Sequence, residues 1–317
     1  MLWECYMVAV IDAKALRQAL PTLTGTLRLP GLKAQVEIYR DGWGIPHVRA
    51  SNLRDAFFGQ GFATAQDRLW QMEYDRRRGA GRWAEVVGDS AVDQDVLMRR
   101  FRLSDSAIAD YEYTKGETRQ MFDDYAQGVN AFIDSTDSLP VEYNIAGLDP
   151  EPWEPWHGLL IYKVRHILMG VFEAKTWRAQ LLREIGPEML AAMFPGYQPG
   201  QLLILPPGET YSGPLRESLE ELRAGAAALS SLNGSVNETG LGSNSWVLSG
   251  SRTASGMPLL AGDSHRALDA PNVYYQNHLA CPDFDVVGFS IPGVPGFPHF
   301  GHNNSVAWCI THLSADY

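Results

Sequence analysis

The chain has 317 residues, 45% hydrophobic and 11% aromatic, which allows one large or two smaller cores and excludes a disordered chain. Its formal net charge is -11 and no basic stripe runs along it, so nothing electrostatic draws it to nucleic acid. Cys5, Cys281 and Cys309 make an odd count without metal-ligand spacing and read as buried, reduced thiols.

The first ten residues are apolar but short, contain Glu4 and lack a basic start, which makes a poor signal peptide. No run reaches the length of a membrane span. The expectation is that the protein is cytoplasmic as it stands or that its true start is missing. Residues 35–40 alternate polar and apolar and predict a strand. Asp41-Gly42-Trp43-Gly44 predicts a turn, and 45–49 a second strand with Pro46 at an edge or bend. Asn52 is a candidate helix N-cap. From it Phe58, Phe62, Ala65, Leu69 and Met72 recur at helical spacing as one apolar face. Arg76-Arg77-Arg78 on that helix reads as a solvated or ion-paired face. A second helix is expected over 117–134, with Phe122, Tyr125, Val129 and Phe132 inward. A third is expected over 173–185, stopped by Gly186-Pro187.

Residues 206–242 read as a spacer: Pro206-Pro207-Gly208 opens it, 215–229 suits an Ala/Glu-rich helix, and 230–242 is rich in Ser, Asn and Gly. Beyond it the pattern turns to short strands, at 246–248, 259–261, 273–275, 286–289 and 306–310. The expected organisation is a mainly helical region over 1–205, a spacer over 206–242 and a β-rich region from 243 to 317.

The chemistry centres on Gly242-Ser243-Asn244-Ser245-Trp246. A serine hydroxyl needs a base to become a nucleophile. Cutting the peptide bond before it frees its own α-amine, whose ordinary pKa of about 7.7–8.0 suits a base near neutrality. Glycine before the serine removes Cβ crowding at the bond to be cut, and a loose spacer lets the severed end leave. Other chemistries lack their motifs: there is no Gly-x-Ser-x-Gly elbow, no HExxH, no P-loop and no dinucleotide fingerprint. His299 and His302 stand three apart in a β context that disfavours a metal pair.

Five segments in order resemble the penicillin amidase family of penicillin, cephalosporin and homoserine-lactone acylases. They are Arg40-Asp41-Gly42-Trp43-Gly44-Ile45-Pro46-His47, then Ala65 to Met72 followed by Arg76-Arg77 and Gly81-Arg82, then Ser243-Asn244-Ser245-Trp246, Gly262-Asp263-Ser264-His265, and Gly301-His302-Asn303. The resemblance covers roughly residues 30–317. It implies an α+β fold, the αββα sandwich of N-terminal nucleophile hydrolases, in a precursor that cuts itself into α and β chains that stay paired. By the same resemblance Gly242 and Ser243 flank the cleavage point and Ser243 is the nucleophile. His265 contacts the catalytic centre, or serves only as a structural polar contact. The backbone N–H near His312 donates to the oxyanion hole, where any side chain is tolerated. His47 matches the family signature without a catalytic counterpart.

The family also holds a structural Ca²⁺ through oxygen ligands, and Glu173 and Asp316 match two of them. Either acid also fits a solvated site, and Glu173 a helix N-terminus. Leu168, Met169 and Phe172, with residues near Pro292 to Phe297, are expected to line an apolar acyl pocket. The implied substrate is a small linear amide such as a penicillin, a cephalosporin or an N-acyl homoserine lactone, and His265 leans towards the last two. Family members are often periplasmic or secreted.

From Ser243 to Tyr317 there are 75 residues, fewer than two full sheets need. The expectation is a C-terminally truncated member with an incomplete sandwich, inactive alone. The alternative is a non-catalytic truncated relative that binds acyl compounds or a partner.

Overall fold

The computed structural model describes residues 13–169, 172–193, 242–266 and 269–311. Two compact units divide the chain, residues 1–166 with 240–312 and residues 167–239 with 313–317. The first takes its parts from both sides of the spacer.

After a short helix α1 (Ala13–Gln18), strands β1 (Glu37–Arg40) and β2 (Pro46–Arg49) form the expected antiparallel pair, with Ile38 opposite Val48. Asp41 builds the turn: its Oδ1 accepts the N–H groups of Trp43 (2.8 Å) and Ile45 (3.0 Å), and Gly44 takes a φ of 79°. Helix α2 (Leu53–Ala80) starts at Asn52, whose side chain accepts the Asp55 N–H, and ends at Gly81 in the left-handed conformation. It bends at Arg68, which leaves helical geometry and donates to Gln71 and the Asn272 carbonyl. Helices α3 (Ala84–Val87), α4 (Val92–Phe101) and α5 (Leu103–Tyr113) follow. Then come α6 (Gly116–Ser135), α7 (Val141–Ala146) and α8 (His157–Met169). The predicted apolar faces of α2 and α6 are all buried, and all but Phe122 meet in one cluster with Tyr143, Trp153, Ile161 and Ile291.

In the second unit, α9 (Phe172–Met193) joins two helical stretches, and the first ends at Gly186-Pro187 as expected. Gly186 leaves helical geometry (φ 75°, ψ 170°) and a second helical stretch begins at Pro187, a residue suited to a first helical turn.

Past the spacer the strands are β3 (Gly242–Leu248), β4 (Leu259–His265), β5 (Tyr275–Cys281), β6 (Phe284–Ser290), β7 (Phe300–His302) and β8 (Ala307–Trp308). One sheet runs β1-β2-β5-β6-β7-β8, and β3-β4 stands as a second. The parallel step from β2 to β5, with Val48 beside Leu279, joins chain from before the spacer to chain from after it. Helix α2 packs on β1, β2 and β5. Mixed helix and sheet in the first unit make this an α+β protein.

Of the two expectations for the arginine run, the ion-paired one holds and the solvated one does not. Arg76, Arg77 and Arg78 are buried, and Glu73 bonds both Arg76 and Arg77 within the same helix. Glu151 adds bonds to Arg77 (3.1 Å) and Arg82 (2.7 Å). The Arg82 bonds, working against partial desolvation, hold the Glu151 carboxyl at about 2. Arg165 pairs with buried Asp75 at 2.6 Å. The reason is local: helix α2 is buried over most of its surface, and the arginines meet buried Glu73 and Asp75 with Glu151 at the edge of the network.

His157 packs against this network and accepts the Glu154 N–H at Nδ1 (2.9 Å). Burial, with repulsion from Arg76, lowers its pKa to about 3, so it is neutral in the native state. In the unfolded chain it takes a proton below about 6.5. The stability it contributes is therefore complete above about pH 6.5 and falls as pH drops from there towards 3, by about 1.4 kcal/mol per pH unit. Urea unfolding of wild type and His157→Asn between pH 7 and 5 checks this: the stability gap between them is expected to narrow with acid.

Candidate active site

Strands β3 and β4 pair antiparallel with Gly242 opposite His265, Ser243 opposite Ser264 and Asn244 opposite Asp263. The cleavage point expected from the sequence is thus the first step of a strand. Side chains alternate across a sheet, so Gly242, Asn244, Asp263 and His265 share one face and Ser243, Ser245 and Ser264 the other.

On the first face, His265 Nε2 lies 3.1 Å from Asp263 Oδ2 and 3.3 Å from Asn244 Nδ2. A carboxylate only accepts and an amide nitrogen only donates, so the two contacts make opposite demands on Nε2; in the tautomer that serves the shorter one, to Asp263, the proton is on Nε2 and Nδ1 keeps its lone pair. That nitrogen lies against Gly242: a Cβ added there would sit 3.2 Å from it. In that tautomer an imidazole acceptor borders the residue on the leaving side of the expected cut, with Asp263 as its orienting neighbour and Asn244 beside it on the same face. Neither neighbour was assigned a role from the sequence. The available signal was Asp263 standing two residues before His265 on one strand face.

The other face of the pair looks onto the main sheet. Ser245 Oγ lies 2.9 Å from Cys309 Sγ, and Ser264 Oγ lies 3.1 Å from the Tyr274 hydroxyl. Gly262 permits this approach, since a Cβ there would meet Cys309 Cβ at 2.6 Å. Cys281 and Cys309 are free thiols, partly rather than fully buried. His299 is partly buried with its ring 6.4 Å from that of Tyr162, and burial lowers its pKa.

The stretch Pro292–Phe297 is built into the core. Gly293 N–H donates to the Tyr125 hydroxyl (3.1 Å), and Gln60 bonds both the N–H and the carbonyl of Gly296. Phe297 is the exposed residue of that stretch and packs on Phe57 and Phe284. Leu168 and Met169 close α8, and Phe172 and Glu173 open α9, with side chains outside the described set. Asp316, the expected second calcium ligand, and His312, the expected oxyanion position, lie outside the described residues, as does the spacer up to residue 241. A cavity of about 490 Å³ lies over the arginine network, lined by Arg76, Arg77, Arg82, Glu151, Trp156 and His157, and includes neither Ser243 nor His265.

The chain is 45% identical over 314 residues to a penicillin acylase 2 proenzyme of Pseudomonas sp. strain SE83, covering 98% of this chain and 40% of that protein. It is 31% identical over 307 residues to the acyl-homoserine lactone acylase QuiP of Pseudomonas aeruginosa, covering 94% of this chain and 35% of that one. Among solved structures, a thermostable penicillin G acylase from Alcaligenes faecalis aligns at 28% identity and a TM-score of 0.45, over 55% of this chain and 98% of that chain. The chain spans about two fifths of the length of the curated relatives it matches. A family model described as penicillin amidase matches residues 35–317, and with the ordered motifs around Ser243 this places the chain in the penicillin amidase family.

Proposed function

We propose that this chain carries the self-cleaving nucleophile of an amidohydrolase that removes the acyl group from a small linear carboxamide. The observation that supports it best is the register of Gly242 against His265, with Nδ1 of that ring beside the residue that must leave. Ser243 Oγ attacks the Gly242 carbonyl carbon, and the peptide bond passes to an ester on Oγ as the Ser243 nitrogen takes a proton. Water then cleaves the ester, leaving a Gly242 carboxylate and a free Ser243 α-amine. That amine takes the hydroxyl proton when Oγ attacks the substrate carbonyl, and returns it to the departing amine. Water releases the acid from the acyl-enzyme by the same path.

In this reading His265, turned by Asp263, accepts a hydrogen bond from the freed amine once Gly242 is gone. The backbone N–H near His312 faces the oxyanion. Leu168, Met169 and Phe172 receive the acyl group. Penicillins, cephalosporins and N-acyl homoserine lactones are the substrate candidates, in keeping with the names of the relatives.

The matching fold is the αββα sandwich. The six-stranded sheet under α2 and α6 forms one sheet and one helical layer, and β3-β4 begins the other sheet. Exposed Trp246, Val247 and Leu259 are apolar positions that such a sheet would bury. Calcium, held by Glu173 and Asp316 with further oxygen donors, would brace the two processed chains, and no step above runs through it.

Intact-mass measurement tests the proposal. Expressed from the complete gene, the protein is expected to divide between Gly242 and Ser243, and its Ser243→Ala variant to remain whole and without amidase activity. Amide hydrolysis by an undivided chain, or by Ser243→Ala, would refute the mechanism.

A further inference from the structure

The parallel step between β2 and β5 sets His47 directly beside His278. Their Nδ1 atoms are 2.8 Å apart, closer than any other contact between two imidazoles described in this chain. The outer nitrogen of each ring meets a carboxylate: His278 Nε2 lies 2.8 Å from Asp285 Oδ1, and His47 Nε2 lies 3.5 Å from Asp41 Oδ2. Asp41 is itself fixed by the two turn N–H groups on its Oδ1.

Carboxylates accept hydrogen bonds and do not donate them, so both Nε2 atoms carry the ring protons. Both Nδ1 atoms then present lone pairs to each other. Two lone pairs at that distance repel unless a cation is shared between them. A ring that donates its far N–H to a carboxylate while its near nitrogen is free is the usual arrangement of a metal-binding histidine with its orienting acid.

We propose that His47 and His278 form a binding site for a divalent transition-metal ion, with Asp41 and Asp285 orienting the two rings and water completing the coordination. Two nitrogens bound at right angles at about 2.0–2.1 Å stand about 2.9 Å apart, close to the observed spacing. The two ring planes stand nearly perpendicular, at 84°, with centroids 5.0 Å apart. A modest turn of His47, whose side chain is one-third exposed, aims both lone pairs at one ion on the solvent side. No three His, Cys, Asp or Glu side chains converge among the described residues, so the protein supplies two ligands here. Such a site selects an ion with high intrinsic affinity for imidazole and a tetragonal preference, and Cu²⁺ fits both. Because β2 precedes the spacer and β5 follows it, the ion would also tie those two segments together.

The test is titration of EDTA-stripped wild-type chain with CuCl₂, followed by calorimetry and electron paramagnetic resonance. One equivalent is expected to bind with hyperfine structure from two nitrogens. His47→Gln/His278→Gln is expected to lose that signal. Asp285→Asn, altering a largely exposed carboxylate, is expected to weaken binding about tenfold while circular dichroism stays unchanged. Equal copper affinity in the double histidine variant would overturn the proposal, and so would unchanged affinity in Asp285→Asn. A folded wild-type chain that takes up no copper would also overturn it, and would assign a shared proton alone to the space between the rings.

Discussion

Glu73→Gln is expected to destabilise the first unit by about 3–5 kcal/mol, the cost of breaking a buried ion pair from one side. Both Glu73 oxygens accept from guanidinium groups, one from Arg76 and one from Arg77, and all three side chains are almost fully buried. Glutamine keeps the shape but offers one oxygen and one NH₂, so one guanidinium would face a donor. The loss falls unequally. Arg77 retains Glu85 at 2.6 Å and Glu151 at 3.1 Å, whereas Arg76 retains the Pro152 carbonyl at 3.2 Å and Glu151 at 3.7 Å. Arg76 is thus left with a poorly compensated charge in the core. Arg102→Ala removes an exposed i,i+3 pair with Asp105 and is expected to leave the urea midpoint where it is. A Glu73→Gln midpoint equal to that of Arg102→Ala would show that the network carries no such weight.

The same network shows where the sequence is readable. Glu73 with Arg76 and Arg77 is visible as i,i+3 and i,i+4 spacing. Their burial is not, because the partner Glu151 lies more than seventy residues away and the surrounding helices α3, α4, α5 and α7 are short or charged. The long helices α2 and α6 were legible because their apolar periodicity matches one buried face. Strand β5 was placed too early, at 273–275, since its buried face includes polar Asn277. That residue is satisfied by Ser290 Oγ (3.0 Å) and the Tyr275 carbonyl (3.1 Å), partners supplied by the β5-β6 fold. Strand β7, three residues long, carries no alternation to read. At the candidate site, Ser243 and His265 are singled out by motif order, and the structure sets them on paired strands. What the motif could not give is the face each occupies, which follows from register: Asn244 and Asp263 belong with His265, whereas Ser243 shares its face with Ser264.

Gly128→Ala is expected to cost at least about 3 kcal/mol, at the top of the range for overpacking, because the obstacle is backbone. A Cβ at Gly128 would lie 2.0 Å from the Phe58 carbonyl oxygen and 2.9 Å from the Phe62 nitrogen. From the other side, a Cβ at Gly61 would lie 2.1 Å from the Tyr125 carbonyl oxygen. Helices α2 and α6 therefore touch main chain to main chain at two points, and neither can yield by turning a side chain. Alanine at Gly128 must push the helices apart by about 1 Å to reach ordinary contact, along a seam that holds Phe58, Phe62, Tyr125, Val129 and Phe132. The displacement reaches further, since Tyr125 and Gln60 on the two helices hold Gly293 and Gly296 in the loop that leads to β7. Gly42→Ala is the matched control: nothing lies within 4 Å of its Cβ position, so it is expected to change stability by less than about 0.5 kcal/mol. Urea unfolding of both variants decides the point. If Gly128→Ala unfolds at the midpoint of Gly42→Ala, the close crossing of α2 and α6 is wrong, and with it the path by which the helical layer fixes the strands around Ser243.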